Sequence, residues 1–397
     1  MKTEAMPKRK LKGQYFTVHE SLQDQVFDWT KNRGETLLEP SYGRGDLIKK
    51  YLEYDPHYPM VLYEIDAALD SVVTFDACQE RHIGDFTQAV IERKFKTIIG
   101  NPPYVARKGT FNLYIEFVEL CFDRLDEAGE LIFIVPSDFI KLTSASVLIS
   151  RMLKVGAFTN IWFPNDESLF MEASVDVMVF RYELGVHLVG SKTIYNGVEK
   201  VCNERFGIMT FSDTEQLGIP ILDMFNVYVG IVSGKDAVFK NGELGNLLVL
   251  TDEGKYDNFI YSEKYEDYSD EVKEYLDLHK AELMARKIKS FTETNWFEWG
   301  AARNLKAITE NAGKPCIYVR NMTRNDNIAF VGQVDYFGGS LLCLVPKTED
   351  VDLGEIVTYL NTIECRADYT YAKRFKMGQK QMLNVVVPFS IFPPFHL

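Results

Sequence analysis

Four short apolar runs mark the first 185 residues: Thr36-Leu37-Leu38, Val61 to Ile65, Thr97-Ile98-Ile99 and Leu131 to Val135. Each is almost continuously apolar, the pattern of strands buried on both faces of a parallel sheet. Between the runs, apolar residues recur at helical spacing. Leu22, Val26 and Trp29 form one stripe; Leu113, Phe117, Leu120 and Leu125 form another. Strands alternating with helices predict an α/β, doubly wound, Rossmann-like domain. Ser174 to Tyr182 adds a further strand. Beyond residue 185 the pattern loosens into short pieces (KTIYNG, YVGIVSG, IAFVG) and a helical stretch from Ser269 to Lys289. That predicts a second, smaller domain of mixed α/β character. The boundary is placed near 215, giving domains 1–215 and 216–397, with 186–215 open to being a last hairpin of the first.

The length of 397 residues suits two domains at about 150 residues each. With 46% hydrophobic and 25% charged residues, the chain is neither disordered nor fibrous. No apolar run reaches the roughly 18 residues of a membrane span; Val385 to Phe395 is broken by Pro388, Pro393 and Pro394. The opening MKTEAMPKRKLK has no apolar stretch, so no secretory leader is expected. Cysteines at 78, 121, 202, 316, 343 and 365 form no CxxC pair, and the histidines show no ligand spacing. The expectation is a cytoplasmic protein with reduced cysteines and no metal. The net charge of −13 is uneven. Residues 252–282 hold eleven acidic and four basic side chains, whereas 286–380 hold fourteen basic and eleven acidic. A locally basic face is compatible with the acidic total.

The sharpest chemical signal is Asn101-Pro102-Pro103-Tyr104, directly after an apolar strand. Two prolines hold the chain extended and remove two backbone donors. The Asn101 amide oxygen and the Pro102 carbonyl can then converge on one point, as a planar NH2 group requires. Tyr104 adds an aromatic face. The carboxyl end of a strand is where open α/β sheets bind ligands.

Upstream, Glu39-Pro40-Ser41-Tyr42-Gly43-Arg44-Gly45-Asp46 also follows a strand. Gly43 and Gly45 permit a tight turn and a close backbone approach. Ile48 stands where a dinucleotide fingerprint needs its third glycine, and Gly234-Lys235-Asp236 is not a P-loop. Glu64-Ile65-Asp66 ends the next strand, where an acidic side chain accepts from ribose hydroxyls. In Gly84-Asp85-Phe86, Asp85 can accept from an adenine amino group and Phe86 can stack on the ring. A nucleoside-like cofactor without a diphosphate fits this set. By itself the glycine pair reads first as a plain turn, and Glu64 is also compatible with a surface carboxylate at a strand end.

These motifs, in this order, resemble the S-adenosylmethionine-dependent amino-methyltransferases. More narrowly they resemble the gamma class of DNA adenine-N6 methyltransferases, the Taq-like modification enzymes of type II restriction–modification systems. The resemblance is strong over 13–182 and looser beyond. It implies S-adenosylmethionine as cofactor, with Tyr15, Phe16 and Thr17 lining its methionine end. Glu39, Pro40, Gly43 and Gly45 form the first cofactor loop. Glu64 holds the ribose, Ile65 packs on adenine, and Asp85 and Phe86 contact the adenine. Tyr42 stands where the family more often has a small residue. Asn101, Pro102, Pro103 and Tyr104 take the target base, with Phe170 opposite Tyr104. Residues 216–397 become a target-recognition domain, and its DNA-contact candidates are Lys235, Arg303, Arg320, Arg324, Arg374, Lys376 and Lys380. The implied partners are duplex DNA and a separate cognate endonuclease, and the implied state is a monomer. RNA adenine-N6 and protein glutamine-N5 methyltransferases share NPPY, so the motif leaves both open. A non-catalytic DNA-binding protein on the same fold is the reading from another class.

Overall fold

The computed structural model describes residues 16–105, 112–164, 176–186, 192–213, 217–371 and 374–392. The chain divides into two compact units, Met1–Gln216 and Leu217–Leu397.

The first unit is built on a ten-stranded sheet. Its strands are β1 (Leu37–Glu39), β2 (Met60–Glu64), β3 (Gln79–Ile83), β4 (Phe95–Gly100), β5 (Leu125–Pro136), β6 (Gly156–Trp162), β7 (Val177–Leu184), β8 (Lys192–Tyr195), β9 (Val198–Arg205) and β10 (Ile208–Ser212). They lie in the order β10-β9-β8-β6-β7-β5-β4-β1-β2-β3. From β3 to β5 the pairing is parallel. β7 enters antiparallel between β5 and β6. The sheet winds outward in both directions from the β1–β4 pair, and the crevice at such a reversal is where ligands bind.

Burial explains the strands. In β5, Ile132 and Ile134 join a core with Leu22 and Val26 of helix α1 (Glu20–Trp29) and Tyr51 of helix α2 (Lys49–Tyr54). Phe133 points the other way and stacks on Phe180. Helix α3 (Leu113–Phe122) packs on β5, and helix α4 (Ser146–Leu153) on β6. Leu125, grouped above with a helical stripe, opens β5 instead; the chain leaves the helix at Asp123–Arg124 and re-enters the sheet. The piece KTIYNG belongs to this first sheet, as β8 and the turn after it. β3 escapes the apolar pattern because QERHI carries only one buried side chain, as an edge strand can.

A buried ion pair crosses this sheet. Glu130 and Arg181 are fully buried and meet at 2.7 Å. Glu130 also accepts from the backbone N–H groups of Lys31 and Asn32, both at 2.9 Å, and from the Thr97 hydroxyl. Arg181 reaches Thr159 and Glu183 as well. The network ties the end of α1 to the centre of the sheet.

The second unit contains a four-stranded antiparallel sheet in the order 225–229, 341–346, 315–320, 329–333. Helix Leu353–Leu360 covers one side, placing Ile356 and Leu360 against Ile317 and Leu344. A separate core gathers Phe239, Phe259, Leu276, Trp296 and Trp299. The helical stretch expected from Ser269 is two helices, Asp270–Leu278 and Lys280–Met284, with the Ser269 hydroxyl capping the first. Among the described residues, no helix is long and apolar enough to cross a membrane.

Arg181→Met strands Glu130 without its cation. We expect a loss of about 3–5 kcal/mol, read as a lowered urea midpoint for the transition of the first unit. An unchanged midpoint would show that the pair carries no net stability.

Candidate functional site

Parallel pairing brings the carboxyl ends of β1, β2 and β4 to one edge of the sheet, with Glu39, Glu64 and Gly100 as their last residues. Glu39 is 1% exposed, and its carboxylate accepts from the Ser41 N–H at 3.1 Å. Burial pushes its carboxyl well above the ordinary range, and nearby Glu64 adds to this against the Ser41 hydrogen bonds. Glu64 accepts from the Gly43 N–H at 2.9 Å and the Asp66 N–H at 2.8 Å. Desolvation raises its pKa also, offset by those amides. Glu64 is therefore a clamp on the loop after β1 as well as a strand-end carboxylate.

That loop turns at Gly43 and Gly45, whose φ angles are +58° and +90°. A Cβ on Gly45 would meet Val73 at 2.7 Å, so a side chain is excluded by sterics and backbone alike. The Tyr42 N–H donates to the Tyr63 carbonyl at 2.9 Å, tying the loop to β2. Phe16 lies against the loop: a Cβ on Gly43 would sit 3.4 Å from its ring, and Arg44 covers the ring at 4.8 Å.

Asn101 joins the segments. Its Nδ2 donates to Thr17 Oγ1 at 3.0 Å, and its Oδ1 accepts from the Tyr104 hydroxyl. That hydroxyl also lies 3.0 Å from the Ile134 carbonyl on β5. The Ser41 hydroxyl reaches the Asn101 carbonyl at 3.5 Å. Thr17 is itself buried, its carbonyl taking the Gln23 amide at 2.7 Å. Phe16, Thr17, Glu39, Gly43, Gly45, Glu64, Asn101 and Tyr104 thus form one connected set; Pro40 and the Pro102-Pro103 pair continue the same strand ends.

The remaining candidates divide. Ile65 is 64% exposed and offers an apolar surface beside Glu64. Phe86 is buried, edge-on to Tyr63 at 5.3 Å and against Phe117 at 5.5 Å, so its ring serves the core. Asp85 accepts from the Thr87 N–H and hydroxyl, capping a short helical turn. Tyr15 and Phe170 lie outside the described residues.

In the second unit, Arg324, Arg374 and Lys376 are exposed. The antiparallel register Met322↔Lys376 and Thr323↔Phe375 carries Arg324 towards Arg374. Arg303 is exposed elsewhere, and Lys380 lies near the start of helix Gln379–Asn384. Arg320 differs: it pairs with Asp252 at 2.7 Å and donates to the Asn327 carbonyl, as a structural tie. Lys235 pairs with Glu282 at 3.0 Å.

Residues 66–170, which include Asn101 to Tyr104, match the family of Eco57I restriction-modification methylases. Over part of its length the chain is thus similar to restriction–modification methyltransferases. It is 26% identical over 200 residues to the type II methyltransferase M.HincII of Haemophilus influenzae, covering 44% of this chain and 38% of that protein. It is 31% identical over 159 residues to the modification methylase CviBIII of Paramecium bursaria Chlorella virus NC1A, covering 34% and 41%. The matches thus span about two fifths of those relatives' own length. In fold, the chain is similar to the type IIL restriction-modification enzyme MmeI, solved in complex with DNA. The TM-score is 0.53 at 10% identity, over 91% of this chain and 63% of that one.

The pKa direction of Glu39 has a measurable consequence. A carboxyl raised above 4.5 binds its proton more tightly when folded, so its contribution favours folding below about pH 4.5 and is lost as pH rises through the folded value. Glu39→Gln keeps the acceptor for Ser41 without the charge. We expect the variant to gain on the wild type in chemical denaturation as pH is raised from 4.5 towards 8. Parallel stability profiles would overturn this.

Proposed function

We propose that the chain transfers a methyl group from S-adenosylmethionine to the N6 amino group of adenine at specific sites in duplex DNA, as the modification enzyme of a restriction–modification system. The observation that carries this reading is the Asn101 amide at the end of β4. Its nitrogen is committed to Thr17 while its oxygen faces Tyr104.

The cofactor fits the residues present. The turn at Gly43 and Gly45, the Glu64 carboxylate, the exposed Ile65 side chain and Phe16 offer a glycine-lined backbone, an acceptor for hydroxyls and apolar surfaces. These suit a nucleoside bearing a methionine tail better than a dinucleotide. Asp85, which caps the turn after the next strand through Thr87, is a further candidate contact. S-adenosylmethionine, when bound, supplies a sulfonium methyl open to direct in-line displacement.

The chain's own residues select and orient the amino group. An adenine inside a duplex must be flipped out, at a cost of a few kcal/mol. Stacking on Tyr104, and on Phe170 in the role that the family resemblance implies for it, offsets this by about 1–3 kcal/mol per aromatic contact. An amide oxygen has two lone pairs, so Asn101 Oδ1 can hold Tyr104 and still accept one amino hydrogen. The Pro102 carbonyl accepts the other. Held by two acceptors, the nitrogen lone pair is drawn out of conjugation with the ring, and orientation supplies the main rate term. No nucleophilic side chain is needed.

The second unit reads the target in this proposal. Arg324, Arg374 and Lys376 are its leading DNA contacts, with Arg303, Lys235 and Lys380 further candidates, while Arg320 acts through the fold. The names of the relatives support the restriction–modification setting; a separate endonuclease partner is part of the proposal.

The test is transfer of labelled methyl to duplex DNA, RNA and a glutamine-bearing release-factor-like protein in parallel, with modified nucleosides identified by mass spectrometry. N6-methyladenine in the duplex is expected; label only in RNA or protein would overturn the substrate. Asn101→Ala should lose nearly all transfer while cofactor binding, followed by calorimetry, persists. Full activity in that variant would sink the mechanism. Replacing Arg374 and Lys376 by alanine should weaken DNA binding and lower the slope of log K against log salt by about 1 for each phosphate no longer neutralised.

A further inference from the structure

His57 lies in the turn entering β2, and Asp76 and Cys78 lie in the turn entering β3. The parallel register Met60↔Gln79 sets these two turns side by side at the amino ends of the strands. The three side chains are exposed, and one donor atom from each lies within 4.8 Å of the others. His57 Nδ1 is 2.5 Å from Asp76 Oδ2.

The scaffold beneath them is rigid and buried. Gln79 is 4% exposed. Its amide nitrogen donates to the Pro56 carbonyl at 3.3 Å and the Tyr58 carbonyl at 2.9 Å, while its oxygen accepts from the Asp76 N–H at 2.7 Å. One buried side chain thus fixes the turn carrying His57 to the turn carrying Asp76 and Cys78. The Asp55 carboxylate accepts from the His57 N–H at 2.9 Å, and Asp76 Oδ1 accepts from the Cys78 N–H at 2.7 Å. The second link orients the Asp76 carboxylate and leaves Oδ2 turned to the histidine. The Met60 N–H donates to the Cys78 carbonyl at 3.0 Å, anchoring the cysteine's backbone to β2.

We propose that His57, Asp76 and Cys78 bind one divalent cation of the zinc class. A nitrogen, a sulfur and an oxygen donor suit a borderline-soft ion and disfavour magnesium or calcium, which take oxygen ligands. Bonds of about 2.0–2.3 Å in a tetrahedron ask for donors about 3.3–3.8 Å apart. The histidine and aspartate atoms stand at 2.5 Å, and all three atoms lie within 4.8 Å of one another. The histidine and aspartate must open by roughly an ångström, which side chains 76% and 36% exposed can do. Three protein ligands leave a fourth position for water or a further donor.

The site lies at the opposite edge of the sheet from Asn101, so its role is structural. The same segment runs back to the glycine loop: the Val72 N–H and the Ser71 hydroxyl both donate to the Arg44 carbonyl, and Val73 packs against Gly45. A cation at Asp76 and Cys78 would tether the far end of the stretch that buttresses this loop.

The experiment is titration of untagged, metal-stripped full chain with cobalt(II), followed by displacement with zinc. The expected result is one cobalt per chain with a thiolate-to-cobalt charge-transfer band, reversed by one equivalent of zinc, and a zinc-dependent rise in the thermal midpoint. Cys78→Ser should lose the band, and His57→Gln and Asp76→Asn should weaken binding by more than about tenfold, since even outer-sphere changes cost that much. The three side chains are exposed, so circular dichroism should show all variants folded. Absence of the band at stoichiometric cobalt, or wild-type affinity in either Cys78→Ser or His57→Gln, would overturn the proposal.

Discussion

Everything at the candidate site depends on the parallel pairing of β1 with β2 on one side and β4 on the other. Parallel strands end on the same edge, so residues 39, 64 and 101 become neighbours although up to 62 positions separate them. The reversal of strand order between β1 and β4 opens the space into which their loops project. Glu64 then bridges two loops, Asn101 bridges the β4 end to Thr17, and Tyr104 reaches the Ile134 carbonyl on β5. The loops are held by side chains that are themselves the candidate functional groups.

This arrangement stores strain of an electrostatic kind. Glu39 and Glu64 sit near one another with little solvent, and each is raised above the ordinary carboxylate range. Apolar packing could fill the same space at lower cost, yet backbone amides of Ser41, Gly43 and Asp66 are committed to satisfying them. Two perturbed carboxylates at the carboxyl ends of neighbouring strands make this edge a candidate for function, although structural networks shift carboxylates too.

Much of this is legible in the sequence because the informative residues are contiguous. Asn101 to Tyr104 and Gly43-Arg44-Gly45 each carry their geometry within a few positions, and the apolar strands before them fix their place. Contacts across 84 positions, such as Thr17 with Asn101, are invisible to spacing, and the family resemblance assigns the two residues to cofactor and base without pairing them. Phe86 reads as an exposed stacking ring because an aromatic beside Asp85 looks the same whether it faces a ligand or the core; burial against Tyr63 and Phe117 distinguishes them. Arg320 likewise reads as a free cation, and only the fold supplies Asp252. His57 and Cys78 show no ligand spacing, since it is the β2–β3 register that brings them together.

The two units keep separate apolar interiors. Leu22, Ile99 and Ile134 belong to one, while Ile317, Leu344 and Leu360 belong to another. A substitution at Ile317 or Leu344 therefore takes contacts from the interior of the half proposed to choose the target, and a substitution at Leu22 or Ile134 takes them from the interior beneath Asn101.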